Sequence, residues 1–175
     1  MKNCAKRSEK MSGGKFMLDL YSKVKEAVGY IRTRTNIKPE FGVILGTGLG
    51  DLANSIESCI IIPYKEIPHF PRSTVKSHLG NLVIGRLGER EAAVMQGRLH
   101  YYEGYSMTEV AFPVWVLRQL GASVLIIVSA AGGLSPSFKV GDIMLITDHI
   151  NLMGDNPLRG VTDERLGERF PSMAQ

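Results

Sequence analysis

The chain has 175 residues, 44% hydrophobic and 22% charged, with 21 Lys plus Arg against 17 Asp plus Glu. That is ordinary globular composition, enough for one domain with a core, and no repeat or low-complexity tract interrupts it. Two cysteines, Cys4 and Cys59, are too few and too far apart for a disulfide framework or a metal cluster, so the compartment reads as reducing.

The formal charge of +4 is partly an end effect. Residues 1–16 carry Lys2, Lys6, Arg7, Lys10 and Lys15 against Glu9 alone and read as a basic, flexible leader, in preference to a nucleic-acid-binding arm. The leader lacks the apolar centre of a signal peptide, and nowhere does an apolar run reach membrane-spanning length. The expectation is a cytoplasmic protein without a membrane or nucleic-acid partner.

Leu18, Tyr21, Val24, Val28 and Ile31 recur at spacings of three and four, which predicts an amphipathic helix. "FGVIL" then reads as a short buried strand, and "CIIIPY" as another. "NLVIGRLGEREAAVMQG" reads as a hairpin turning near Gly88-Glu89. Ser106 and Glu109 have the spacing of a capping box, opening a helix that runs to about Leu120 with Pro113 as a kink or crowded turn. "ASVLIIVSA" is apolar throughout, as expected of a strand covered on both faces, and "GDIMLITDHI" predicts one more strand. Together these make a single α/β unit.

Four segments carry candidate chemistry. In "GVILGTGLGDLA" a strand runs into Gly46-Thr47-Gly48-Leu49-Gly50, placing backbone N–H groups and a hydroxyl at one spot, ahead of a helix-like stretch. Such a loop suits an oxyanion, although its glycines are equally compatible with a tight packing turn. It is neither a dinucleotide fingerprint, because Asp51 stands where the third glycine belongs, nor a Walker loop, because no Lys-Ser or Lys-Thr follows. That argues against a nucleotide-dependent oxidoreductase. In "QGRLHYYEGY", Arg98, His100 and Tyr102 share a side if the chain is extended, and an Arg forks onto two phosphate oxygens. The alternative there is a surface loop in which Arg98 pairs with Glu103. His78 sits in a polar stretch that reads as an exposed loop, and "SAAGGL" offers small residues at the end of the most apolar strand.

Taken in order, "GTGLG", "KSHLGNLVIG", "QGRLHYYEGY", "SAAGGL", "GDIMLITDHINL" and "NPLRGVTDERLGERFP" resemble the trimeric branch of the purine nucleoside phosphorylase family, from about Leu18 to the last residue. The resemblance implies a phosphorylase-type mixed central sheet flanked by helices, with residues 17–175 as the amino-terminal portion of one domain. It implies reversible phosphorolysis of purine ribo- and deoxyribonucleosides to free base and pentose 1-phosphate, as in purine salvage. Inorganic phosphate is then a co-substrate, with no metal and no organic cofactor, and the implied assembly is a homotrimer.

Carried onto this chain, Thr47, His78, Arg98, His100 and Ala130 match the family's phosphate-contacting positions, with Ala130 acting through its backbone N–H. Tyr102 matches a ribose-binding tyrosine. Glu103 matches an acid that organises His100, and this pair matches the catalytic positions. Thr47 stands where many relatives have serine, keeping the hydroxyl, and Ser129 replaces an asparagine of some relatives. The loop "MGDNPL" lacks the family's interface aromatic, which puts a cross-subunit contact to the base in doubt. The family's base-recognising glutamate and asparagine have no matching position before Gln175, so base-binding residues and base preference are unassigned. Two expectations follow: a piece of a complete phosphorylase, or a short non-catalytic binder of phosphate or nucleoside. The ending "SMAQ", with neither cap nor polar tail, favours the piece.

Overall fold

The computed structural model describes residues 13–46, 48–72, 79–160 and 163–171, with side chains from Leu20 onward. Helix α1 spans Gly13–Arg32. Leu20, Val24, Ala27 and Ile31, at spacings of four, three and four, form its buried stripe, with Val28 and Tyr30 at the margin. Five strands follow: β1 Phe41–Ile44, β2 Glu57–Pro63, β3 Asn81–Leu87, β4 Arg90–Gln96 and β5 Val124–Ile127. Helix α2, Met107–Leu120, lies between β4 and β5.

The strands form one sheet in the order β2-β3-β4-β1-β5. The β3–β4 hairpin is antiparallel and turns at Gly88, whose φ of 62° suits glycine. β1 lies parallel to both β4 and β5, with Phe41 opposite Ala92 on one side and Val124 on the other. The carboxyl ends of β4, β1 and β5 therefore emerge along one edge.

Strict alternation divides the side chains between two faces. Ile44, Leu82, Ile84, Ala93 and Met95 meet the stripe of α1 and the buried face of α2, which is Phe112, Val116, Leu117 and Leu120. Val43, Leu45, Val83, Ala92 and Val94 face the other way, covered by Ala53 and Ile56 from a 3-10 helix at Gly50–Ser55 and its end. Both α-helices thus pack on one face. The capping box forms as expected: the Ser106 hydroxyl accepts from the Glu109 N–H, and the Glu109 carboxylate accepts from the Ser106 N–H at 2.8 Å. The helix runs unbroken through Pro113.

Two expectations are overturned. The apolar run 122–130 was to be a strand covered on both faces, yet Val124, Ile126 and Ile127 are 57%, 46% and 62% exposed. The reason is position: β5 is an edge strand paired only with β1, and the α1–α2 cluster reaches across the sheet no further than Leu125. The second is "GDIMLITDHI", which forms no strand; Ile143, Leu145, Ile146 and Ile150 are exposed. A strand needs a hydrogen-bonding partner, and among the described residues none lies beyond β5. Further on, Leu166 packs against the main core, and Arg165 lies 3.9 Å above the Tyr21 ring centroid.

Candidate active site

Topology assembles the site. β1 ends in Gly46–Gly50, β4 in Arg98–Glu103 and β5 in Val128–Ala130, and these three parallel strands deliver all three segments to one edge of the sheet. β3 is antiparallel to β4, so its entry returns to the same edge, where the Gly80 N–H donates to the Gln96 carbonyl at 3.0 Å. Ligand sites in open α/β sheets favour such an edge, beyond the strand carboxyl ends.

The glycine-rich loop leaves β1 against β5. A Cβ at Gly46 would lie 2.6 Å from the Val128 carbonyl oxygen and 3.2 Å from the Ser129 Cα, so only glycine lets the two exits touch. Gly48 has a φ of 86°, and the Leu49 N–H closes the turn on the Gly46 carbonyl at 3.3 Å. The helix-like stretch expected next is the six-residue 3-10 helix Gly50–Ser55, which has too few aligned peptides for the dipole of a full α-helix. Thr47 and His78 lie outside the described residues.

Beyond β4 the chain bends at Gly97, whose φ is 110° and whose N–H donates to the Met95 carbonyl at 3.1 Å; His100 is extended, and a 3-10 helix follows at Tyr101–Glu103. The Glu103 side chain is only 2% exposed, and its Oε1 accepts from the His100 backbone N–H at 2.9 Å and from the His100 Nδ1 at 2.7 Å. An ionised carboxylate at Nδ1 holds the imidazole proton there and leaves Nε2 as the acceptor. Arg98 meets that need: its Nε donates to His100 Nε2 at 3.2 Å, and its Nη1 donates to the Val128 carbonyl at 3.2 Å. Arg98 therefore bridges the exits of β4 and β5. The Arg98–Glu103 pair considered from sequence is replaced by the chain Arg98–His100–Glu103, a cation and an anion on opposite sides of one ring.

Tyr102 stacks on His100, with centroids 4.6 Å apart and planes at 20°, while 76% of Tyr102 stays exposed. Ala130 is exposed just past β5, next in the chain to Ser129, whose Cα lies against Gly46. Arg98, His100, Tyr102 and Glu103 thus form one group, and the Ala130 segment joins it through Val128.

Two residues escaped the sequence reading. Buried Tyr64 donates its hydroxyl to the Gly97 carbonyl at 2.8 Å, and burial holds its phenol well above the ordinary range. Gln96, 8% exposed, donates its Nε2 to the Gly50 carbonyl at 3.1 Å. The available signal was one amide closing the apolar run "EAAVMQ".

A profile of the phosphorylase superfamily matches residues 40–175. The chain belongs to the phosphorylase superfamily. It is similar to purine nucleoside phosphorylase 1 of Geobacillus stearothermophilus, 51% identical over 152 residues, covering 87% of this chain and 56% of that protein. The Rattus norvegicus purine nucleoside phosphorylase is 50% identical over 157 residues, covering 88% and 54%. Among solved structures, isoform 2 of the Schistosoma mansoni enzyme in complex with cytosine and ribose-1-phosphate superposes with a TM-score of 0.81 at 46% identity, covering 87% of this chain and 55% of that one. The Schistosoma mansoni enzyme in complex with adenosine gives a TM-score of 0.80 at 44% identity, covering 87% and 54%.

The mixed sheet with its helices is this superfamily's fold, and the chain spans about half the length of the relatives it matches. No helix among the described residues is long and apolar enough to cross a membrane.

Proposed function

We propose that this phosphorylase chain carries the phosphate-binding half, and part of the sugar-binding half, of a purine nucleoside phosphorylase site. The observation that carries the reading is the convergence of the β1, β4 and β5 exits around Arg98, which hydrogen-bonds to both His100 and the β5 exit. A guanidinium held on two sides beside a glycine turn suits a phosphate dianion. The purine nucleoside phosphorylase relatives, and the ribose-1-phosphate and adenosine in two related structures, support the same substrate class.

In the proposed reaction a phosphate oxygen bonds to the anomeric carbon as the glycosidic C–N bond breaks. The electron pair leaves on the purine, which takes up a proton, and pentose 1-phosphate forms. Arg98, His78, the Thr47 hydroxyl and backbone N–H, and the Ala130 N–H hold the phosphate. Holding it against the sugar converts a bimolecular encounter into a positioned one. Glu103 fixes the His100 tautomer, and His100 orients phosphate near the sugar. Tyr102, stacked on that ring, takes the ribose-binding role. No organic or metal cofactor is required. The complete protein is a cytoplasmic homotrimer serving purine salvage, with residues 17–175 as the amino-terminal portion of one domain behind a basic leader.

A second reading is a phosphate- or nucleoside-binding chain without turnover. It is favoured because leaving-group stabilisation by base-binding residues has no candidate among the described residues, and loss of even one such donor costs about 10²–10³ in kcat. Inosine phosphorolysis by the 175-residue chain, with and without phosphate, distinguishes the two. Mass and oligomeric state are measured on the same sample. Phosphate-dependent hypoxanthine release supports the enzyme; phosphate or nucleoside binding without turnover supports the binder; a folded chain that binds neither phosphate nor inosine refutes both.

A further inference from the structure

We propose that Gln96 is a positioning residue: its buried carboxamide clamps the glycine-rich loop to the exit of β4 and sets the spacing between that loop and Arg98. The inference rests on the phosphate-site reading above.

Gln96 ends an apolar strand and is 8% exposed, a place where an unbonded amide is costly and an apolar side chain would pack as well. Its hydrogen bonds account for its presence. The Asn81 Nδ2 donates to Gln96 Oε1 at 3.3 Å, which turns Nε2 toward the Gly50 carbonyl, 3.1 Å away.

Gly50 closes the glycine-rich loop, whose other end is seated on the β5 exit through Gly46. The clamp therefore fixes the end of the loop that β5 does not hold. The clamp's own base is rigid. The Gln96 carbonyl accepts from the Gly80 N–H at 3.0 Å, and the next carbonyl, that of Gly97, accepts from the buried Tyr64 hydroxyl at 2.8 Å. Arg98 follows directly, so any slack at Gln96 appears as a shift between the loop and the guanidinium. Gln96 acts through the Gly50 backbone and needs no contact with an anion.

Gln96→Glu keeps size and replaces the donor facing Gly50 with an acceptor. Asn81→Ala removes only the group that orients the amide. Amide hydrogen exchange at Leu49 and Leu52 is measured without ligand, and inorganic phosphate affinity is measured at constant ionic strength. Ile84→Val, a core change remote from the clamp, serves as the control for lost stability.

For Gln96→Glu the expected result is about tenfold faster exchange at both amides and about tenfold weaker phosphate binding, the effect of one lost buried hydrogen bond. Asn81→Ala is expected to give about threefold in each and carries the test if Gln96→Glu fails to fold. The control is expected to leave both unchanged. Wild-type exchange and affinity in the clamp variants would overturn the proposal, as would equal weakening by Ile84→Val or loosened amides with undiminished affinity. Loosened amides in a protein whose parent binds no phosphate would leave the clamp standing and refute the phosphate reading instead.

Discussion

Arg98→Ala tests the site most directly, because the structure separates what the side chain does for the fold from what it does for an anion. For the fold its contacts include hydrogen bonds of 3.2 Å to His100 Nε2 and to the Val128 carbonyl. Both of these acceptors are partly exposed, so water replaces the guanidinium when it is removed, and the net loss from these two bonds is about 1 kcal/mol. A domain of this size then loses roughly 2–4 °C in Tm. For the anion, Arg98→Ala removes a fork able to make two charge-assisted bonds of about 1.5–3 kcal/mol each. Phosphate affinity should therefore fall by about 10²–10⁴. Arg98→Lys keeps the charge but not the fork and should fall between, at about tenfold weaker. Phosphate titration by calorimetry at fixed ionic strength, paired with thermal unfolding, reads both quantities. Affinity within twofold of the parent would refute the placement of phosphate at Arg98. A collapse of folding would refute the separation of roles.

Gly46→Ala places a methyl 2.6 Å from the Val128 carbonyl oxygen. It should cost about 1–3 kcal/mol, the usual range for overpacking, and be read as a lower thermal midpoint with faster amide exchange at Val128. At Glu109, the Ser106 hydroxyl and then the Ser106 backbone N–H hold the carboxyl below its ordinary 4.5. A folded pKa below the unfolded one means that the unfolded chain binds more protons between the two values, so stability rises with pH there. Glu109→Gln should therefore be less stable than the parent above the unfolded value. The two should converge as pH falls through the lowered folded value, and melting curves across the acid range check this. At β5, Ile127→Lys should reduce self-association, because it charges an apolar edge strand that is 62% exposed at that position. Light scattering against concentration measures it, and unchanged association would locate the sticky surface elsewhere.

Local elements were legible in the sequence because their causes are local. The stripe of α1 follows from period 3.6, the β3–β4 hairpin from alternation ending at Gly88, and the start of α2 from the Ser106–Glu109 box. The grouping of Arg98, His100, Tyr102 and Glu103 was legible too, since residues 98 to 103 are near neighbours before any folding occurs. The residues alone left Arg98 as the apparent partner of Glu103, while the family resemblance pointed to His100, which is the partner found. An extended His100 followed by one 3-10 turn brings that carboxylate back onto the His100 ring.

Tertiary structure alone decided the rest. Hydrophobicity along "ASVLIIVSA" says that the strand avoids water, but burial depends on what lies beside it, and β5 lies at an edge. "GDIMLITDHI" has the composition of a strand, yet backbone pairing comes from another segment. Gly46 reads as one more flexible glycine until the β5 exit is seen pressing on it, and Gln96 reads as one polar residue until Gly50 comes within 3.1 Å. A sequence shows which groups each segment offers. Only the parallel order β4-β1-β5 brings three separate segments to a single edge, where one guanidinium spans from the β4 exit to the β5 exit.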